Sequence, residues 1–264
     1  MPPVRIEPVT GARGLKEFLA LPFRLYAHDT SWVPPLMLER RQHLDPRRNP
    51  FFARAEVAYW LARRDGESVG RISAQVNRAH LERHRDATGH FGFLEAEDDP
   101  ETFAALFEAA EAWLRARGLA RCVGPFSLSI NDESGLLVEG FESPPYIMMG
   151  HALPYYGARV EEQGYVKAKD LIAYLLDTTA ELPARATRLF DKLGRTSGLR
   201  FRHLEMARFD EEVRTIVDIF NDAWADNWGF VPFSDEEMRH LGKSLKPLLR
   251  EEYVAIGEID GVPA

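Results

Sequence analysis

The residues best suited to moving a proton lie between Ser127 and Pro154, a stretch with no regular apolar period. Asn131, Asp132 and Glu133 stand together there, and His151 follows before the stretch ends. An amide orients a polar partner, and a carboxylate or a neutral imidazole accepts its proton. Glu133 and His151 are therefore each candidates for a general base, with Asn131 and Asp132 on the substrate side. The same Asn-Asp pair also builds tight turns, with Glu133 as their cap, and the sequence leaves both readings open. Tyr155 and Tyr156 come next, at the start of a short helix, where aromatic rings serve either as packing or as phenol donors. Met148-Met149 reads as adaptable core filler or as the lining of an apolar channel.

Other constellations carry less chemistry. His80-Leu81-Glu82-Arg83-His84 puts two imidazoles one helical turn apart, but it is not His-Glu-x-x-His and has no third ligand, so a solvated helix and no metal are expected. Cys122 is the single cysteine, which excludes an intrachain disulfide and suits a reducing cytoplasm; an inert buried thiol is expected. Arg40, Arg41, Arg47 and Arg48 are interrupted by Asp45 and lack interleaved aromatics, so they read as a solvated face. A net charge of −8 repels phosphate backbones and anionic lipid surfaces, making nucleic acid an unexpected partner. The N-terminus has no apolar signal core and no uncharged run reaches the ~20 residues of a membrane span. A soluble, cytoplasmic chain without an integral membrane segment is expected.

These groups are positioned by an alternation of strands and helices. Residues 4–9 alternate as a strand, and Leu15, Phe18, Leu19, Phe23 and Tyr26 recur at helical spacing. A short helix over 36–44 follows in a Pro-rich passage. Val57 to Arg64 and Val69 to Asn77 flank Asp65-Gly66, a hairpin turn, and His90 to Leu94 makes a further strand. Residues 100–117 form the clearest helix, with Asp99 as N-cap, Pro100 at its first position and Gly118 as its stop. A strand at 120–126, the irregular stretch, a helix at 155–163 and a long strand from Tyr165 to Leu176 complete the first series. A helix over about 178–197, a strand over Leu199 to Ala207, a helix over 210–227, a capping box at Ser234 opening a helix to about 249, and a strand over Tyr253 to Ile259 make the second.

The second series restates the first. Trp32-Val33-Pro34 matches Phe230-Val231-Pro232, and Asp65-Gly66 matches Asp260-Gly261, at nearly the same separation. A duplicated domain is expected, the first copy over 1–177 and the second over 178–264, the latter stopping at its hairpin. A sheet edge cut after Ile259 predicts disorder there or pairing with another molecule, as in a homo-oligomer.

In order and wording the chain resembles the GCN5-related N-acetyltransferase (GNAT) superfamily, and within it a bacterial subgroup of tandem GNAT-like proteins of the YghO type. The phrases that carry the resemblance are Trp32-Val33-Pro34-Pro35, Asn49-Pro50, Asn131 through Phe141, Pro144-Pro145, Met148-Met149, Pro154-Tyr155-Tyr156 and Gly164-Tyr165. The resemblance implies an α/β (α+β) fold, a GNAT-like mixed and mostly antiparallel sheet flanked by helices. It also implies transfer of an acyl group to an amine, with acetyl-CoA or a longer acyl-CoA as co-substrate and no metal.

On that resemblance, coenzyme A pyrophosphate would meet a glycine-rich loop at the start of the helix after the hairpin strands. Here that place holds Glu97-Asp98-Asp99-Pro100-Glu101. It has no glycine, its proline has no N–H, and like charges near 4 Å repel by about 4 kcal/mol at an effective dielectric of 20. The first domain is therefore expected not to hold coenzyme A in the family's manner; that binding is expected in the incomplete second domain, so that this chain alone is expected to be inactive. The position of the family's thiolate acid falls on Val160, so Tyr156, with Tyr155 beside it, is the substitute. The expected function is an acyl-CoA-dependent N-acyltransferase whose first, degenerate domain shapes the acceptor side for a small-molecule or lipid amine. The alternative is a catalytically silent GNAT-like module that binds an amine ligand or a partner protein.

Overall fold

The computed structural model describes residues 2–177, 179–195, 198–247 and 249–264. The expected domain start at residue 178, the helix end at 196–197 and position 248 lie outside the described residues. The chain divides into two compact units, Met1–Asp170 with Gly229–Val231, and Leu171–Trp228 with Pro232–Ala264.

In the first unit β1 (Arg5–Pro8), α1 (Gly11–Leu25) and α2 (Met37–His43) precede the hairpin of β2 (Ala55–Arg64) and β3 (Glu67–Asn77). Then come α3 (Arg78–His84), β4 (Thr88–Ala96), α4 (Pro100–Arg115), β5 (Arg121–Val123) and α5 (Tyr156–Glu161). The sheet runs in chain order from β1 to β5, antiparallel until β4 and β5, which pair in parallel. This is the expected mixed, mostly antiparallel sheet flanked by helices.

Local signals account for most of these elements. Asp65 and Gly66 both take positive φ, 52° and 84°, the geometry of a type I′ hairpin. Asp99 caps α4 by accepting from the Thr102 amide at 2.8 Å. One stripe of α4, Phe103, Leu106, Phe107, Ala110 and Leu114, is fully buried, and each large side chain contributes roughly 1.5–3 kcal/mol.

The sheet separates two cores. Trp60, Ile72 and Phe91 pack with α4 and α5, while Leu61 and Phe93 pack with Phe18, Leu19 and Leu21 of α1. Phe91 and Phe93 would share a face in a regular strand. They do not, because the β3–β4 register shifts between Arg71 and Ser73, and Phe93 takes a φ of 47°. This bulge resets the alternation, so that Glu95, of the same parity as Phe91, turns to the α1 face.

The strand expected from Tyr165 to Leu176 is not formed; these residues have no ladder, and Leu171, Ile172, Tyr174, Leu175 and Leu176 are exposed. Alternating apolar residues meet the side-chain requirement of a strand, but a strand also needs a neighbour for its N–H and C=O groups. The strand expected over 120–126 is also shorter, at Arg121–Val123.

The second unit contains α6 (Ala184–Gly194), β6 (Leu199–His203), α7 (Phe209–Ala223), α8 (Asp235–Leu245), β7 (Ala255–Ile259) and β8 (Val262–Pro263). Its sheet order is β6-β7-β8, antiparallel throughout. The Ser234–Glu237 capping box opens α8 as expected. Among the described residues no helix is long and apolar enough to cross a membrane.

Gly92 lies where β4 meets the chain beyond β5, and a Cβ on it would collide with the Phe126 carbonyl. Backbone cannot yield as a side-chain tip can, so Gly92→Ala should cost about 3 kcal/mol or more, read as a lowered urea midpoint. A second test concerns His90, which burial first, and His80 second, push down to about 3 from its ordinary 6.5. Between those values the unfolded chain binds the extra proton, so stability falls as pH drops through that window, by up to about 1.4 kcal/mol per pH unit. His90→Leu should flatten that slope by roughly one proton in denaturation series from neutral to acidic pH.

Candidate active site

A cleft of about 120 Å³ opens on the α1 face of the first unit, where the end of β4 and the chain leaving β5 diverge. The bulged residues Phe93, Leu94 and Glu95 supply one side, and Pro125, Ser127 and Glu133 the other. Trp32, Arg40, Arg71, Met149 and His151 also line it.

Its floor is a buried charge cluster. Arg71 Nη2 lies 3.6 Å from Glu95 Oε1, and its Nη1 donates to the Phe18 carbonyl at 2.8 Å. Tyr26 and Tyr156 both donate to Glu95 Oε2, at 2.6 and 2.8 Å. Burial raises the Glu95 carboxyl above the ordinary range, against the opposing pull of Arg71 and the two phenols. A guanidinium keeps its proton even when desolvated, so Glu95 and Arg71 compensate one another. Burial, and next the Glu95 charge, push both phenols far up, so they act as fixed donors.

The irregular stretch turns out to be an ordered loop. The Asp132 carboxylate accepts from the Ser129 amide and hydroxyl at 3.1 and 2.8 Å, and the Asn131 amide donates to the Val231 carbonyl at 2.9 Å, a residue of the same unit. Asn131 and Asp132 thus build and anchor a turn. Glu133 follows and faces the cleft, 3.0 Å from Arg40 Nη1. His151, with its side chain only 4% exposed, binds Asp29 Oδ2 through Nε2 at 2.7 Å. Burial works to raise the Asp29 carboxyl, but hydrogen bonds from His151, Ser31 and Trp32 prevail and hold it below its usual value.

Of the six residues singled out from sequence, Glu133 and His151 line the cleft. Tyr156 is fully buried and reaches the cleft through Glu95. Tyr155 donates to the Ala96 carbonyl at 2.7 Å, and burial pushes its phenol up to about 12. Asp29, Arg71 and Glu95 were not found by sequence reasoning. For Asp29 the one local signal was Asp-Thr-Ser, whose Ser31 amide donates back to Asp29 Oδ1 at 2.9 Å.

Three expectations need correction. Arg40 is no member of a solvated face, since its side chain is largely buried against Glu133. His80 is buried, its ring tilted against His84 at 4.4 Å and edge-on to His90 at 4.7 Å, with Asp86 at 3.2 Å, so its helix is not simply solvated. The acidic start of α4 is not an uncompensated negative patch. Arg24 meets Glu97, Arg159 meets Asp98, and Arg64 meets both Asp99 and Glu101, at 2.9, 2.8, 2.6 and 3.5 Å. The obstacle to a pyrophosphate there is occupancy: Asp99 takes the Thr102 amide and Pro100 has no N–H to give.

Fold and site together define an α/β domain with a cleft that pairs an imidazole and carboxylates with an apolar wall. Over 258 residues, 97% of its length, the chain is 52% identical to the bacterial ceramide synthase of Caulobacter vibrioides. Over 250 residues it is 44% identical to the protein YghO of Escherichia coli. The chain belongs to the family of these proteins, and it spans 67% and 63% of their respective lengths. No family model matches it. A candidate acetyl transferase of known structure from Pyrococcus furiosus overlaps 66% of this chain and 99% of its own at a TM-score of 0.37 and 16% identity.

Glu95→Gln keeps acceptors for the two phenols but strips Arg71 of its counter-charge. It should destabilise the chain by about 3–5 kcal/mol in chemical denaturation, and Arg71→Met in the same chain should restore much of the loss.

Proposed function

We propose that the chain is the acceptor-binding part of an acyl-CoA-dependent N-acyltransferase of tandem GNAT type, acting on a long-chain amine. The observation that carries this reading is the 52% identity to a protein described as a bacterial ceramide synthase. A ceramide is the amide of a fatty acid with a long-chain amino alcohol, so its synthesis forms an N-acyl bond.

The cleft suits that acceptor. Glu133, at the cleft surface, offers an ammonium its carboxylate, while Leu19, Pro22, Trp32, Val33 and Met149 give the hydrocarbon an apolar wall. Glu133 is committed to Arg40, so His151 is assigned as the base and Glu133 as the group that holds the amine. Tyr156, hydrogen-bonded to Glu95, steadies that carboxylate; as a thiolate acid it would have to act through it.

Coenzyme A binding is assigned to the second, duplicated domain, because the start of α4 is occupied. The second unit supports duplication: β6, β7 and β8 pair in the order of β1, β2 and β3, and Asp260 and Gly261 repeat the φ values of Asp65 and Gly66 at 51° and 82°.

In the whole enzyme, with a long-chain acyl-CoA and a long-chain amine, thiol release and amide formation should appear together. His151→Gln should lower kcat by roughly 100-fold or more, and Glu133→Gln should act mainly on KM for the amine. Titration with acetyl-CoA and long-chain acyl-CoA decides between this reading and the silent module: binding of either without turnover, or binding of amine alone, favours the module.

A further inference from the structure

Among the described residues, four buried side-chain polar atoms have no hydrogen-bond partner: Tyr59 Oη, Thr88 Oγ1, Arg71 Nε and His151 Nδ1. His151 Nδ1 is the one that can accept a proton, and it belongs to a ring that lines the cleft. Its other nitrogen is engaged. Asp29 Oδ2 stands 2.7 Å from Nε2, and the Ser31 amide donates to Oδ1 at 2.9 Å, so the carboxylate is held on both sides. Tyr26 packs edge-on against the imidazole at 5.4 Å and stacks on Trp32 at 5.2 Å, which fixes the ring plane. An ionised carboxylate only accepts, so the proton of the neutral imidazole must sit on Nε2, and Nδ1 carries the lone pair.

We propose that Asp29 is a positioning residue that sets the tautomer of His151 and leaves Nδ1 as the atom that deprotonates the acceptor amine. The inference rests on the acyl-transfer reading above. In the step it serves, the amine arrives as an ammonium and gives one proton to Nδ1. The freed lone pair forms the C–N bond as the C–S bond of the acyl thioester breaks, and a second amine proton leaves with the thiol. One proton stays on the amide nitrogen, and His151 ends as an imidazolium facing the Asp29 carboxylate, which stabilises it.

Long-range proton–nitrogen correlation spectra of the nitrogen-labelled chain report the tautomer directly, with His151→Gln identifying the signals. The expected result is a protonated Nε2 in the unaltered chain. In Asp29→Asn, whose amide can donate to Nε2, the proton should move to Nδ1. The same variant should lose roughly 10²- to 10⁴-fold in kcat with KM for the amine within about twofold, and Asp29→Glu should recover part of the loss. A protonated Nδ1 in the unaltered chain overturns the proposal without any variant having to fold. So does an Asp29→Asn chain, folded by circular dichroism, that keeps its kcat or loses activity through KM alone. Absence of turnover in a whole enzyme that shows the expected tautomer would instead overturn the acyl-transfer reading, and the proton transfer with it.

Discussion

The cleft exists because one extra residue sits in β4. Pleated strands alternate their side chains strictly, so without the irregularity opposite Ile72 the carboxylate of Glu95 would face the apolar core under α4. The bulge instead delivers it beside Arg71, Tyr26 and Tyr156, and sends Phe93 to pack under α1. Everything that lines the cleft from the sheet side depends on that displacement.

The arrangement divides labour between groups that are spent and groups that are free. Asp99, Asp132 and Asn131 hold backbone; Arg24, Arg64 and Arg159 neutralise the entrance to α4; Tyr26 and Tyr156 hold Glu95. Of the four buried side-chain atoms left without a partner among the described residues, two, the second nitrogen of His151 and the Nε of Arg71, lie on residues of the cleft. Native proteins seldom leave buried polar atoms without partners, and where they do so in a cavity a ligand is the natural completion.

The elements legible in the sequence are those whose instructions are local. The cap and stripe of α4, the Asp65-Gly66 hairpin and the Ser234 capping box each need only a few consecutive residues. Residues 165–176 have the pattern of a strand, but pairing is a property of two segments, and no partner is written into one of them. Glu133 and His151 were recognisable because they are reactive types in an unpatterned stretch. Asp29 was not: it lies 122 positions from His151 and inside a passage whose Pro and Trp residues read as punctuation. Glu95 was hidden for another reason, since only the bulge decides its face, and Gly92 is the sole local trace of it.

Cys122 occupies β5, the three-residue strand that closes the sheet beside the cleft. Burial lifts its thiol up to about 12, against the help of the Tyr165 hydroxyl, so almost none of it is thiolate near neutral pH. Alkylating reagents therefore find it inert while β5 is docked on β4, and reactive once that edge detaches. With a single sulfhydryl in the chain, its modification rate becomes a clock for the breathing of the sheet margin, recorded without any engineered label.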